Sequence, residues 1–378
     1  MLVRRRTVHF DDAAVGAMNA TTRLGTSGLR LRTATNLAVL LFVSVLAIKQ
    51  LSTIIQPMVV AVFLFFAIRP PAAWLEKRIG HPLLSYTGVL VAFLGFIILI
   101  SQILFSSLSG FSSEVPSLTP KFNDKIEWVE GLQFFGYSVD LEGLQSVVSI
   151  EEINRLVTEF IGSLASFTAN MLTVLIFLAF IILEAESLPG RIMAAFPDES
   201  NRFDSIAKKA EKNINVYIKT KATVALGQAI IAGIVLSMFE IPGAFIWAFL
   251  VFILDFIPYL GAFLSFIPPI ILAFIQLPIT GFVAVVVLLV GNQQVWGSFV
   301  EPQLAGQRLD MSPIVLLFLV AFWYWAWGLT GMILGVPLAV IMKILLESDE
   351  RTLPIAIMLS RNPPSSIEDK NDDSVSID

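Results

Sequence analysis

The sequence predicts an all-α polytopic membrane protein with about seven to eight transmembrane helices, broken or re-entrant helices in the C-terminal half, and one helical extracytoplasmic insertion. The first reason is composition: 56% of the 378 residues are hydrophobic and 15% are charged, whereas soluble domains have about 45–50% and about 25%. The second is that charge is concentrated in a few stretches, which leaves apolar runs long enough to cross a bilayer. The third is that proline and glycine interrupt these runs in the C-terminal half.

The residue types that are missing exclude several kinds of chemistry. The chain has no cysteine and only two histidines, His9 and His81, so disulfides, thiolate catalysis and histidine-based or cysteine-based metal centres lack their groups. We therefore expect no metal site and no cofactor. The net charge of −5 comes from acidic segments rather than from a basic face, so we expect no nucleic-acid partner. The lipid bilayer is the partner expected for the apolar surface.

The N-terminal region predicts a cytoplasmic tail followed by three spans. Residues 1–32 form a basic tail in which arginines outnumber carboxylates, and transmembrane helices 1–3 occupy residues 33–106. Basic residues flank the first two helices on both sides, and lysine and arginine near a span mark its cytoplasmic end. We therefore predict that both termini are cytoplasmic.

The middle of the chain predicts one polar insertion between spans. Residues 107–164 are poor in lysine and arginine, as translocated loops are, and residues 150–167 have apolar side chains at helical spacing. We therefore predict an extracytoplasmic helical insertion at residues 107–164. Residues 165–186 predict transmembrane helix 4. Residues 187–218 mix basic and acidic side chains, which is typical of a cytoplasmic amphipathic segment near the headgroups.

The last third of the chain predicts a broken-helix core at residues 219–346. Asp255 is the sole charged residue between Glu240 and Glu301, and prolines and glycines interrupt the apolar sequence repeatedly. Such breaks at membrane depth free backbone N–H and C=O groups, which are tolerated only where protein or a water-lined cavity satisfies them. Broken helices of this kind are typical of transporters around a binding site.

The C-terminal end predicts a different kind of segment. Residues 347–378 are rich in carboxylates and serines and contain Pro363 and Pro364. This composition buries too little apolar surface to offset the entropy of ordering the chain. We predict an acidic, disordered cytoplasmic tail.

Three motifs resemble those of one known family. Residues 255–269 read DFIPYLGAFLSFIPP, residues 300–313 read VEPQLAGQRLDMSP, and Leu183–Glu186 reads LEAE, ahead of a Phe-Pro pair at residues 196–197. The first motif resembles the "iPyiG…iP" signature of the autoinducer-2 exporter family of bacterial membrane proteins. The 300–313 motif resembles the "v.P.l.g..l.l.P" element of that family, and the LEAE motif is similar to its stretch after the fourth span. The resemblance covers residues 33–346. The chain departs from the pattern at Ala262 and Phe263 and at the doubled proline, Pro269.

The resemblance implies a permease or exporter of a small polar molecule in the bacterial cytoplasmic (inner) membrane. It implies secondary transport driven by a proton or sodium gradient, a small-molecule substrate and a homo-oligomer. Residues 219–346 are then the transport core. An ion channel or a cation/proton antiporter stays open as an alternative, because a broken-helix core fits a pore as well as a carrier.

A membrane-embedded enzyme is a weaker alternative. It needs a nucleophile with a base, paired aspartates or a metal site, and the apolar blocks contain one lone aspartate, no histidine and no H-E-x-x-H motif. The chain also lacks the phosphate-binding loop of ATP-driven transport. We therefore predict that the protein is not an enzyme.

Nine residues are candidates for transport or coupling. Asp255 stands beside a proline–glycine break whose freed carbonyl groups can join it in binding a proton or a cation; the structural alternative is a cap at the membrane interface. Glu301 and Arg308 belong to a charged connector that either recognises an anion or is a short polar loop. Asn292 and Gln293 either line a pathway or hydrogen-bond across helices. The full set is Asp255, Pro258, Tyr259, Gly261, Asn292, Gln293, Glu301, Pro302 and Arg308.

Overall fold

Helices account for nearly all of the described chain. The structure, a computed structural model, describes residues 35–361 except residues 37, 41, 132, 135–136, 139–149, 186, 259 and 306–310. In chain order the helices are α1 (Ala38–Gln50), α2 (Ser52–Ile79), α3 (Pro82–Glu130), α4 (Ile150–Glu184), α5 (Leu188–Ala195), α6 (Ser200–Met238), α7 (Ala244–Leu254), α8 (Leu260–Gln276), α9 (Ile279–Gln294), α10 (Glu301–Ala305), α11 (Pro313–Glu347) and α12 (Leu353–Leu359). Between α3 and α4, strand β1 (Gln133–Phe134) pairs antiparallel with β2 (Tyr137–Ser138).

Five of the described helices are long and apolar enough to cross a membrane. They cover Ser52–Ile79, Pro82–Val129, Pro197–Met238, Ile279–Leu304 and Pro313–Glu347. A sixth span results if Asn170–Glu184 and Leu188–Ala195, which meet at 63°, are counted together. The prediction of an all-α polytopic membrane protein is confirmed. The number is below the seven to eight expected because α1, α7 and α8 are apolar but shorter than a full span.

The chain divides into two units, residues 1–55 and residues 56–378. In the first unit, a single turn residue, Leu51, separates α1 from α2, and its N–H donates to the Ala47 carbonyl at 2.8 Å. The basic tail predicted at residues 1–32 lies outside the described residues. The second unit holds the rest of α2 and all later helices.

Helix α3 is longer than a membrane is thick. Its 49 residues measure about 73 Å at ~1.5 Å per residue, against a hydrocarbon core of ~30 Å. The insertion predicted to begin at residue 107 is therefore a continuation of this helix, and α4 likewise runs through residue 164. The C-terminal part of α3 packs on later helices. Phe111 contacts Trp247 edge to face with ring centroids 5.7 Å apart, and Lys125 Nζ donates to the Leu277 carbonyl at 2.9 Å.

Helices α6 to α9 run antiparallel, each to the next. Gly233 of α6 lies against Ala248 of α7, and Phe274 of α8 meets Phe282 of α9 with ring centroids 5.3 Å apart. Because the connections are short, α7 and α8 form a hairpin whose tip begins at Asp255. The apolar core shared by these helices includes Leu236, Leu272, Val285 and Leu289, which are fully buried.

Helix α11 reverses direction at its centre. Trp327 and Gly328 have non-helical backbone angles. Beyond them, Gly335 packs on Val320, although residues 320 and 335 would be about 22 Å apart in a straight helix. Gly331 likewise packs on the backbone of Trp323. The segment is therefore a second hairpin with its tip at Trp327–Gly328, so the C-terminal half contains the broken helices that the sequence predicts.

The two hairpins enter from opposite ends of α6 and meet. The open end of the α11 hairpin lies at the N-terminal part of α6, where Lys209 pairs with Glu347 at 2.5 Å and Arg202 with Asp349 at 3.2 Å. The α7–α8 hairpin opens toward the other end of α6, because α7 follows Met238 after a short turn. Apolar residues join the α7–α8 tip, α11 and α6: Leu254, Ile257, Val320, Met332, Val336 and Tyr217.

The segment after α11 differs from the disordered tail predicted at residues 347–378. Leu353–Leu359 forms α12, and the Ser312 N–H donates to the Leu359 carbonyl at 2.9 Å. The physical reason is that this short stretch is apolar within an otherwise acidic tail, and it buries Ala356. Residues 362–378 lie outside the described residues.

Candidate functional site

Three charged residues lie together inside the C-terminal core. Lys221 Nζ is 2.7 Å from Glu301 Oε1 and 3.6 Å from Asp255 Oδ2. Lys221 and Asp255 are 8% and 7% exposed, and the Glu301 side chain is 27% exposed. Because one ammonium group faces two carboxylates, this cluster, hereafter the Lys221 cluster, has one excess negative charge when all three groups are ionised.

Each member of the Lys221 cluster comes from a different element. Lys221 lies on the buried face of α6, one turn after Tyr217. Asp255 directly follows α7 and begins the tip of the α7–α8 hairpin. Glu301 is the first residue of α10, which α9 carries back alongside α6. The cluster therefore forms only when α6, the end of α7 and the start of α10 lie together.

A close backbone approach shapes the tip that carries Asp255. A Cβ atom at Gly261 would overlap the Leu254 carbonyl group, so only glycine allows α8 to start so near the end of α7. The Ile257 N–H donates to the Leu254 carbonyl at 2.8 Å, and the Gly261 N–H donates to the Ile257 carbonyl at 3.1 Å. These bonds satisfy backbone groups that the helix break would otherwise leave unpaired.

Several buried polar atoms on α6 and α9 have no hydrogen-bond partner in the described part of the chain. They include Tyr217 Oη, both amide atoms of Gln228 and Asn292 Oδ1. Gln228 is 1% exposed, and leaving a buried polar group unpaired costs about 1–3 kcal/mol. These atoms are therefore available to bind a small polar molecule, a proton carrier or water.

The donor set does not resemble a metal site. Among the residues that the structure describes, no group of three or more carboxylate or imidazole side chains is placed to hold a metal ion. In the Lys221 cluster, the ammonium group already occupies the position between the carboxylates that a cation would take. The chemistry that fits these groups is proton exchange and hydrogen bonding.

The remaining predicted site residues lie at the hairpin tip, on α9 or on α10, or outside the described residues. Pro258 lies at the hairpin tip, and Pro302 follows Glu301 in α10. Asn292 is buried, and its Nδ2 donates to the Gln228 carbonyl at 3.0 Å, which fits the interhelical alternative. Gln293 has a buried Oε1 without a partner among the described residues. Tyr259 and Arg308 lie outside the described residues.

Sequence reasoning missed Lys221, Tyr217 and Gln228. All three follow one face of α6, because positions separated by four and seven residues lie on the same side of a helix. Polar residues at this spacing, in a helix whose C-terminal half is apolar, could have predicted that these side chains face the protein interior. It was obscured because Lys221 stands near a run of basic and acidic residues that reads as a solvated surface.

Fold and site together define a class. This is a multi-pass α-helical membrane protein in which two helical hairpins meet beside a buried charged cluster, an arrangement that resembles membrane transporters built from broken helices. A family model described as AI-2E family transporter matches residues 37–350. The chain belongs to this family of transporters, which confirms the resemblance seen in its motifs.

Individual relatives agree with the family. The chain is 26% identical over 329 residues to the AI-2 transport protein TqsA of Escherichia coli (strain K12), covering 85% of this chain and 93% of TqsA. It is 25% identical over 327 residues to the putative transport protein YhhT of the same organism, covering 86% of this chain and 93% of YhhT. A putative transport protein of Thermotoga maritima is 25% identical over 316 residues, covering 81% of this chain and 94% of that protein.

Proposed function

We propose that this protein is a secondary transporter that moves a small polar molecule across the membrane in exchange for protons, with the Lys221 cluster as the coupling site. One observation carries the proposal: two carboxylates share one lysine where hairpins from opposite ends of α6 meet. A site between two hairpins is reached from one side or the other when either hairpin moves, as alternating access requires.

The charge of the cluster supports protons as the coupling ion. Burying an uncompensated charge costs several kcal/mol, and a proton on Asp255 removes the excess negative charge of the cluster. A sodium ion would need several oxygen ligands, and Lys221 Nζ already lies 2.7 Å from Glu301. Protonation therefore changes the energy of this site without displacing any group.

The packing around the cluster favours a carrier over a channel. Leu254 and Ile257 at one hairpin tip pack directly on Val320 and Met332 of the other hairpin. A continuous open pore would separate these apolar surfaces. Unitary currents across a bilayer containing the purified protein would identify a channel instead.

Autoinducer-2 is the first substrate to test, because TqsA is named as an AI-2 transport protein. Purified protein in liposomes is given an imposed pH gradient, and movement of labelled autoinducer-2 is followed together with an entrapped pH dye. We expect substrate flux and proton flux to rise together with the gradient. A parallel panel of small polar metabolites covers other substrates, and an imposed sodium gradient tests the alternative coupling ion.

The decisive variant is Asp255→Asn, with Asp204→Asn as its matched control. Asp255→Asn keeps the side-chain shape but removes an exchangeable buried charge, so we expect normal assembly with loss of gradient-driven flux. Asp204 is on the same helix as Lys221 and pairs with Lys208 at the protein surface, so its variant should transport normally. Wild-type flux with an unchanged pH profile in Asp255→Asn would show that Asp255 is structural.

We also propose that the protein lies in the bacterial inner membrane with both termini in the cytoplasm. The distribution of lysine and arginine supports this orientation. Since the chain has no cysteine, single cysteines can be labelled selectively. A membrane-impermeant maleimide should label Ser112→Cys in intact cells and Ser205→Cys only after permeabilisation. The reverse labelling pattern would show that the protein has the opposite orientation in the membrane.

A further inference from the structure

The helix that carries Glu301 changes type immediately before that residue. The α-helix α9 ends at Gln294, Val295–Val300 is π-helical, and Glu301 begins α10. A π-helix is closed by i→i+5 hydrogen bonds, so each turn holds more residues than an α-helical turn. Such segments are rare and frequently occur at functional sites. Here the π segment sets which face of α10 points toward α6.

Contacts on both sides of the π segment connect it to α6. At the end of α9, Asn292 Nδ2 donates to the Gln228 carbonyl at 3.0 Å. Within the segment, the Trp296 ring lies on Gly227, where a Cβ atom would overlap the ring. After the segment, Glu301 pairs with Lys221. The π segment therefore contacts α6 within its own length, and the residues just before and just after it contact α6 as well.

The segment has no strong preference for α-helix. It consists of valine, tryptophan, glycine, serine, phenylalanine and valine, all of which belong to the poorer helix formers. Conversion to α-helix would turn Glu301 by about 100° relative to α9 and move it about 1.5 Å, which is one residue of an α-helix. That rotation carries the carboxylate away from Lys221.

The rotation changes the charge around Lys221. With Glu301 in place, Lys221 is shared between two carboxylates. With Glu301 turned away, Lys221 faces Asp255 alone and the remaining buried pair is neutral. Helix register and charge at the cluster are thus linked through Glu301.

We propose that Trp296, seated on Gly227, is a positioning residue that keeps Val295–Val300 π-helical and so keeps Glu301 on Lys221. Conversion of this segment to α-helix releases Glu301 once in each transport cycle. The place of this conversion in the cycle rests on the proposed transport function. The existence of two registers does not.

Distance measurements between spin labels test the two registers directly. Leu226 on α6 and Leu304 on α10 are exposed, and the cysteine-free chain allows labels at Leu226→Cys and Leu304→Cys in the full-length protein. Double electron–electron resonance should give two distance populations whose ratio changes between alkaline and mildly acidic pH. A single unchanged population under both conditions would overturn the proposal.

Deletion of Ser298 should lock one register. Removing one residue lets the segment become α-helical while Glu301 still faces Lys221. We expect one distance population and loss of most transport turnover. Ser298→Ala is the matched control, because it removes the same exposed hydroxyl, which accepts from Gln294 Nε2 at 2.9 Å, without changing the register. Wild-type turnover in the deletion variant would exclude a register change from the cycle.

The positioning role of Trp296 has its own test, which does not depend on the deletion variant folding. Gly227→Ala should displace the Trp296 ring, shift the distance populations toward the α-helical register and shift the pH profile of transport. Adding Trp296→Phe, which removes the outer ring, should restore both. Gly291→Ala is the control, because a Cβ there meets no atom within 4 Å. Populations in Gly227→Ala equal to wild type would contradict the role of Trp296.

The register and transport proposals fail separately. If the spin labels show both registers but Asp255→Asn keeps gradient-driven flux, the coupling role fails and the register change stands. If Asp255→Asn loses flux but the labels show one register throughout, the register change fails and the coupling role stands.

Discussion

The N-terminal part and the middle of α6 use lysine in opposite ways. Lys209 pairs with Glu347 at 2.5 Å, and its side chain is 53% exposed. Lys221 pairs with Glu301 at a similar distance of 2.7 Å, but its side chain is 10% exposed. The geometry of the two pairs is alike and their surroundings differ. The two pairs therefore show how burial changes the contribution of an ion pair to stability.

The two pairs contribute differently to stability because one is exposed to water and the other is not. At the exposed end, either charge is solvated when its partner is removed, so such a pair contributes about 0–1 kcal/mol. In the buried middle of α6, removing one partner leaves a charge that neither water nor protein compensates, at a cost of about 3–5 kcal/mol. The exposed pairs thus act as weak contacts between α6 and the end of α11. The buried cluster costs stability compared with an apolar core, which is consistent with a functional site.

The largest expected effect comes from Lys221→Met. This change leaves the buried Asp255 and the partly exposed Glu301 without a counter-charge, so we expect a loss of about 3–5 kcal/mol in stability, measured as a lower thermal midpoint of the purified protein. Lys209→Met makes the same substitution at the exposed end of the same helix, and should cost less than about 1 kcal/mol.

A triple variant separates charge from packing. Lys221→Met combined with Asp255→Leu and Glu301→Leu removes every charge of the cluster, so most of the lost stability should return while transport stays absent. Equal stability of Lys221→Met and Lys209→Met would show that the cluster is solvated in the protein. The proposed difference between the exposed and the buried lysine would then be wrong.

The difference between the exposed N-terminal part and the buried middle of α6 also explains what the sequence could predict. The isolation of Asp255 in an apolar stretch predicts that it either lies at the membrane interface or has a local partner, and the structure provides a partner. The partner, Lys221, lies 34 positions earlier in a helix whose first half is amphipathic. Its burial depends on α9 returning alongside α6, which is a non-local contact that spacing along the chain does not reveal.

The hairpin in α11 shows the same limit in another form. The glycines between Trp327 and Pro337 predict a broken helix, but a glycine permits a kink as readily as a reversal. The reversal is decided by contacts between the two arms. Gly335 lets the second arm pack closely on Val320 of the first, and Val320, Met332 and Val336 of the two arms then pack with Leu254 and Ile257 of the other hairpin.

The smallest expected effect lies at the exposed end, at Asp349. The Arg351 backbone N–H donates to Asp349 Oδ1 at 2.9 Å and Arg202 Nη2 donates to Oδ2 at 3.2 Å, and these contacts hold the pKa of the Asp349 carboxyl group below its usual value. A carboxyl group whose pKa is lower in the folded state stabilises the fold at pH above its unfolded pKa of ~3.9, and this contribution is lost as pH falls through the folded value. The thermal midpoint of wild type minus that of Asp349→Asn should therefore be small and positive at neutral pH and should vanish only in strong acid. A difference that stays constant down to the lowest pH would show that the Asp349 contacts do not depend on its charge.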